Sequence, residues 1–259
     1  MTANGLFTGE RALVTGSASS IGRGIAMALA REGANVILAD VDMERNAAVA
    51  REIGNLGTTP ETITVDLSQP DGWKEVISAI DGNVPHMMVH AASPPRMDSD
   101  TPLTVSEATW DAMLTTNLRT GFFLGREIGA RMREAGIKGR MLFVTSLHAE
   151  TPRNLAHYSA AKAGTTMAMK ELARALGPAG IRVNALAPGA VPGGGAANID
   201  DNFKPKQKIA LQRFGTPDDM AGMALALLSN RFSGYVTGIT VPVDGGLALF
   251  NWIPAPDQT

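Results

Sequence analysis

The sequence predicts one large α/β domain, a doubly wound parallel sheet with helices on both faces. Short β-branched runs alternate with longer Ala-rich segments of helical period. Several of the runs are apolar throughout, as expected of strands covered on both sides. A small-residue turn after the first run opens the first helical segment, which is where such folds bind nucleotides.

The candidate strands are residues 12–15, 36–39, 62–65, 87–90, 141–145, 182–185 and 239–243, and the candidate helices 21–31, 45–56, 73–80, 107–134, 158–176 and 217–228. The first strand runs into Thr15-Gly16-Ser17-Ala18-Ser19-Ser20-Ile21-Gly22. Such a turn lets backbone N–H groups and a helix N-terminus approach a pyrophosphate. Asp40 ends the second strand, 24 residues beyond Gly16, where a carboxylate accepts hydrogen bonds from the adenosine ribose hydroxyls. It also repels a 2′-phosphate, and Val41 follows rather than Arg or Lys, so NAD is expected over NADP. Asp66 ends the third strand, placed either to bond the adenine amino group or to cap the next helix, with Leu67 beside it. The fourth strand ends in His90-Ala91-Ala92-Ser93, small residues where a cofactor crosses the sheet edge.

The fifth helical segment starts with Tyr158-Ser159-Ala160-Ala161-Lys162. On a helix this spacing puts a phenol and an ammonium on one face. A neighbouring ammonium favours a phenolate, which suits a general acid/base for alcohol and ketone chemistry. The connector 189–208 carries Gly193-Gly194-Gly195, Asp200-Asp201 and three lysines, and is expected to be mobile surface structure over the substrate. The tail 247–259, with Phe250, Trp252 and Ile253, is expected to dock at a subunit interface or on its own subunit.

Composition narrows the remaining classes. The chain has 259 residues and a formal net charge of -2, so neither a nucleic-acid groove nor an anionic membrane surface is expected as partner. Cysteine is absent, which excludes disulfide and thiolate chemistry. The four histidines are scattered without zinc-site spacing, so no metal is expected. No signal peptide or membrane span is apparent, which points to a soluble cytoplasmic protein.

Taken together, Thr15 to Gly22, Asp66, Asn117, Ser146, Tyr158 to Lys162, Pro188-Gly189, Arg213-Phe214-Gly215-Thr216-Pro217 and Val243-Asp244-Gly245-Gly246 resemble the classical short-chain dehydrogenase/reductase family. The resemblance implies a single-domain Rossmann fold over residues 1–259, with a seven-stranded parallel sheet and a homotetramer or dimer. It implies hydride transfer between NAD(P) and a hydroxyl or carbonyl carbon of a small molecule. Carried over by residue, Tyr158 is the acid/base and Lys162 holds the nicotinamide ribose. Ser146 binds the substrate oxygen, and Asn117 supports a water leading from the lysine. The cofactor is expected to touch Gly16, Ser17, Ser20, Ile21, Gly22, Asp40, Asp66, Leu67, His90, Ala91, Ala92, Tyr158, Lys162, Pro188, Gly189 and Val191.

The chain also departs from the family pattern. Ser20 replaces a loop glycine, His90-Ala91-Ala92-Ser93 replaces Asn-Asn-Ala-Gly, and no threonine follows Pro188-Gly189 closely. Family members commonly place the serine 13 residues before the tyrosine; here Ser146 lies 12 before and Thr145 lies 13 before, which leaves both hydroxyls as candidates. Arg96, His148, Glu150, Arg153, Asn154 and His157 are candidate walls of a pocket suited to a sugar or polyol. Two alternatives stand beside this reading: an NADPH-dependent carbonyl or 3-ketoacyl reductase, and a non-catalytic NAD-binding sensor or scaffold.

Overall fold

The computed structural model describes residues 5–80, 82–97, 99–193 and 203–250. Seven strands form one all-parallel sheet: β1 (Arg11–Thr15), β2 (Asn35–Asp40), β3 (Glu61–Thr64), β4 (Met87–His90), β5 (Arg140–Val144), β6 (Arg182–Pro188) and β7 (Thr240–Val243). Their order is β3-β2-β1-β4-β5-β6-β7. The helices are α1 (Ser20–Arg31), α2 (Met43–Gly54), α3 (Gly72–Ala79), α4 (Glu107–Leu114), α5 (Gly121–Glu134), α6 (Ala156–Leu176), α7 (Pro205–Lys208), α8 (Pro217–Leu228) and α9 (Asn230–Ser233). The fold is the single-domain doubly wound Rossmann arrangement expected from the sequence.

Alternation along the strands builds two cores. Val14, Leu38, Val89, Leu142 and Leu186 pack with α1, α2 and α8 through Ile25, Leu29, Ile53 and Leu228. The intervening Leu13, Ile37, Met88, Phe143 and Ala185 pack with α3, α5 and α6 through Val76, Ile128, Met169 and Leu172. Strands β4, β5 and β6 are buried along their full length, which explains why they are largely apolar. At the N-terminal ends of β5 and β6, buried Arg140 and Arg182 bond the carbonyl oxygens of Leu228 and Leu227 (2.8 and 2.9 Å) at the end of α8. The C-terminal strand ends are left for the site.

The strand order reverses between β1 and β4, so the loops after these two strands diverge and open a crevice. Gly16 sits at its base with φ +69°, and a Cβ there would lie 2.6 Å from the Ala92 nitrogen. A Cβ on Gly22 would lie 2.1 Å from the Gly16 oxygen. Only glycine fits at either place. Ser20 begins α1 with no positive φ, so replacing the usual glycine brings no backbone strain.

One expected element is divided. The helical pattern 107–134 forms α4 and α5 around a π-helical stretch, Thr115–Thr120. The wider turn frees main-chain carbonyls for outside donors. Thr116 O bonds His90 Nε2 at 3.0 Å, and Asn117 O accepts from Thr165 Oγ at 3.3 Å. Much of the expected connector (194–202) and the tail beyond residue 250 lie outside the described residues.

Candidate active site

Two cavities open along the crevice. The first, of about 390 Å³, is lined by Gly16, Ala18, Asp40, Asp66, Leu67 and Ala92, among others. The Asp40 carboxylate accepts from the Ala18 N–H at 2.9 Å and the Asp42 N–H at 3.0 Å, which fixes it on the cavity wall. Asp66 accepts from Ser68 N–H (2.9 Å), Ser68 Oγ (2.7 Å) and Gln69 Nε2 (3.0 Å). These bonds, that from the Ser68 hydroxyl foremost, hold its carboxyl below the usual range. Asp66 thus anchors the turn after β3, while Asp71 occupies the N-cap of α3. Arg45, in the first turn of α2, also reaches this cavity and pairs with Asp42 at 3.3 Å.

Between the cavities lies the N-terminus of α1. Its N-cap, Ser19, makes no side-chain cap; the hydroxyl bonds Gly16 O at 2.6 Å instead. No acidic residue lies in the first turn. The leading N–H groups of this 12-residue helix therefore keep their capacity for an anion. The cavity bounded by Asp40, the close-packed glycine turn and this uncapped helix end fit a dinucleotide.

The second cavity, of about 170 Å³, is lined by Ser146, Tyr158, Lys162, Arg96, His148 and Arg153, with Pro188, Gly189 and Val191 on the side of β6. Helix α6 brings Tyr158 and Lys162 to one face, with Lys162 Nζ 5.5 Å from the tyrosine ring centroid. Lys162 is buried, and its Nζ donates to Val144 O at 2.8 Å. Burial, reinforced by the Arg96 charge, pushes its pKa down to about 7. His148 meets the Tyr158 ring edge-on at 5.1 Å. Burial and the charges of Arg96, Arg153 and Lys162 push its pKa down to about 4, leaving a neutral imidazole at pH 7.

The two hydroxyls at the end of β5 differ in their commitments. Thr145 Oγ donates to Leu186 O at 3.1 Å, a bond across to β6. Ser146 Oγ accepts from the His148 N–H at 3.2 Å and, among the described residues, donates to no protein atom. Ser146 is therefore the one poised to donate into the cavity. Asn117 lies beneath on the π-helical turn, with Nδ2 on Met113 O at 3.0 Å; Oδ1 is buried with no protein partner among the described residues.

His90 stands where the family's strand-supporting amides are missing, and it has a structural setting. Its side chain lines neither cavity; it is buried, with Nδ1 2.9 Å from Thr15 Oγ and Nε2 3.0 Å from Thr116 O. A carbonyl only accepts, so Nε2 carries the hydrogen and Nδ1 accepts from Thr15. Burial, then the Lys162 charge, pushes its pKa down to about 4, consistent with a neutral ring. Its ring thereby tethers β1 to the turn that carries Asn117. Ser17 is likewise turned inward, its hydroxyl donating to Asn46 Oδ1 at 2.8 Å.

Of the expected substrate walls, Arg96, His148 and Arg153 reach the second cavity; Glu150, Asn154 and His157 do not line it. Phe203 and Leu247 do, from segments distant in sequence and without a motif to mark them. Arg45 carried a weak signal, since a basic residue in the first turn of the helix after Asp40 points back toward that strand end.

Known proteins resemble this chain over nearly its whole length. The family model described as enoyl-(acyl carrier protein) reductase matches residues 16–248. A 3-oxoacyl-acyl-carrier-protein reductase of Aquifex aeolicus (strain VF5) is 34% identical, the match covering 92% of this chain and 97% of that protein. Galactitol 2-dehydrogenase of Agrobacterium fabrum is 31% identical over 93% of this chain and 97% of its own length. Carveol dehydrogenase from Mycobacterium avium, solved in complex with NAD, superimposes with a TM-score of 0.86 at 26% identity, covering 95% of this chain and 99% of that one.

Proposed function

The chain belongs to the short-chain dehydrogenase/reductase family, and from that premise we propose an NAD-dependent oxidation of a secondary alcohol with Tyr158 as general acid/base. At the coarser level it is an oxidoreductase of hydroxyl and carbonyl groups. The observation that carries the finer reading is the convergence of Tyr158, Lys162 and the Ser146 hydroxyl on one cavity beside an uncapped helix N-terminus.

The bound nicotinamide would supply the hydride acceptor at C4. Asp40, Gly16, Ile21 and the first turn of α1 would hold the dinucleotide, with Lys162 on the nicotinamide ribose. Tyr158 takes the hydroxyl proton as hydride leaves the carbinol carbon, and returns it in reduction. Ser146 donates to the substrate oxygen as its charge changes. Asn117 positions a water that relays the proton past Lys162. The galactitol-acting relative and the polar walls support a polyhydroxylated substrate.

Replacing Tyr158 by Phe is expected to lower kcat by at least about 10³-fold with the Kd for NAD within a few-fold of wild type, a loss in the range of removing general acid/base catalysis. Turnover within a few-fold of wild type would remove Tyr158 from this role. A second reading, carbonyl reduction with NADPH, draws on Arg45, which stands on the wall of the adenosine cavity.

A further inference from the structure

Among the described residues, the lining of the substrate cavity carries positive charge without an acid to balance it. Its lining includes Arg96, Arg153 and Lys162 but no Asp or Glu. Lys162 is accounted for by the proposed ribose contact. The two arginines are not. Arg96 lies with Cζ 4.4 Å from the Tyr158 ring centroid, over the phenol rather than toward the dinucleotide crevice. Arg153 projects from the loop leading into α6.

Neither guanidinium forms an ion pair among the described residues. Nearby acids are otherwise placed: Glu150 is exposed and off the cavity wall, and Asp244 accepts from the Gly246 N–H (2.9 Å) and Ala248 N–H (2.8 Å). His148, edge-on to the Tyr158 ring, is kept neutral by burial and then by the charges of Arg96, Arg153 and Lys162, and offers no negative charge.

Two planar guanidiniums with no ion-pair partner among the described residues, in a partly buried cavity, form a site for carboxylate or phosphate oxygens. We infer that the alcohol oxidised here carries an anionic group, a carboxylate or a phosphate ester, held by Arg96 and Arg153 while its hydroxyl meets Tyr158 and Ser146. The inference rests on the dehydrogenase reading above and narrows its substrate to hydroxy acids or phosphorylated hydroxy compounds. The same two charges select against neutral sugars, which leave both guanidiniums unpaired and desolvated.

Matched pairs test it: D-galactonate against galactitol, 3-hydroxybutyrate against its methyl ester, and glucose 6-phosphate against glucose, each with NAD and NADP. At least one anion should exceed its neutral match by about 100-fold in kcat/KM. The responding pair tells carboxylate from phosphate. Arg96→Gln and Arg153→Gln should each reduce that preference at least tenfold, mainly through KM. Binding is read separately, by thermal shift of NAD-loaded Tyr158→Phe with the same compounds; the anions should raise Tm and the neutral matches should not.

Neutral compounds turned over as well as the anions, or a preference unchanged in both arginine variants, would overturn the anion site and leave the dehydrogenase reading standing. Anions that bind through the two arginines but are never oxidised or reduced would support the site and defeat the dehydrogenase reading. Neither binding nor turnover of any anion defeats the proposal outright.

Discussion

Lys162→Met should make the cofactor-free protein more stable while destroying its activity. The displacement of the lysine from its ordinary 10.5 to about 7 measures the penalty for holding the ammonium in the core. At about 1.4 kcal/mol per pKa unit, the penalty is about 5 kcal/mol wherever both folded and unfolded chains are protonated, below pH 7. Methionine removes it at similar volume but leaves Val144 O without its 2.8 Å donor, a loss of about 1–3 kcal/mol. The variant should therefore be about 2–4 kcal/mol more stable at pH 6 by urea denaturation. Between pH 7 and 10.5 the unfolded chain binds this proton and the folded chain does not. Wild-type stability gains about 5 kcal/mol through that window, so the variant's advantage shrinks and then reverses as pH rises toward 10.5. Activity should fall at least about 100-fold, because the nicotinamide ribose loses its anchor. A variant less stable than wild type at pH 6, or a difference that does not shrink toward pH 10, would refute the reasoning.

Asp40→Ser should shift kcat/KM toward NADP by at least about tenfold, and adding Arg45→Ala should reverse much of that gain, since it removes the cation available to a 2′-phosphate; an unaltered cofactor ratio contradicts this. Ser146→Ala should lower kcat by about 10²-fold or more. Thr145→Val, which loses its bond to Leu186 O, should instead cost about 1 kcal/mol of stability with kcat within tenfold; the opposite pattern exchanges the two roles. His90 binds a proton at about 4 when folded and near 6.5 when unfolded, so stability falls as pH drops between those values, by about 3 kcal/mol in all. His90→Gln should lose that acid-dependent component in urea titrations; curves parallel to wild type speak against it.

The sheet was legible because burial on both faces leaves runs such as residues 87–89 and 141–144 with a sustained apolar signal. That Tyr158 and Lys162 share a face was legible from helical spacing, but their assignment as a proton-transfer pair came from the resemblance of the whole chain. The break at Thr115–Thr120 was not, since a π-helical turn keeps helical composition and is set by tertiary bonds from His90 and Thr165. A supporting role for His90 was legible from the two missing amides, but its partners were not, since they lie 75 and 26 residues away. The choice between Thr145 and Ser146 turned on which hydroxyl faces β6, and a one-residue spacing difference does not reveal that. Arg96 was visible as a candidate wall, but its place over the Tyr158 ring depends on the fold around it.

The central claim is hydride transfer with Tyr158 exchanging the proton. Its most direct measurement follows deuterium from the carbinol carbon of the preferred substrate to C4 of the nicotinamide, in wild type and in Tyr158→Phe. The account predicts label on the reduced cofactor from wild type and almost none from the variant, both with NAD bound. Comparable transfer by the variant, or NAD-saturated wild type that transfers no label from any alcohol in the panel, would contradict it.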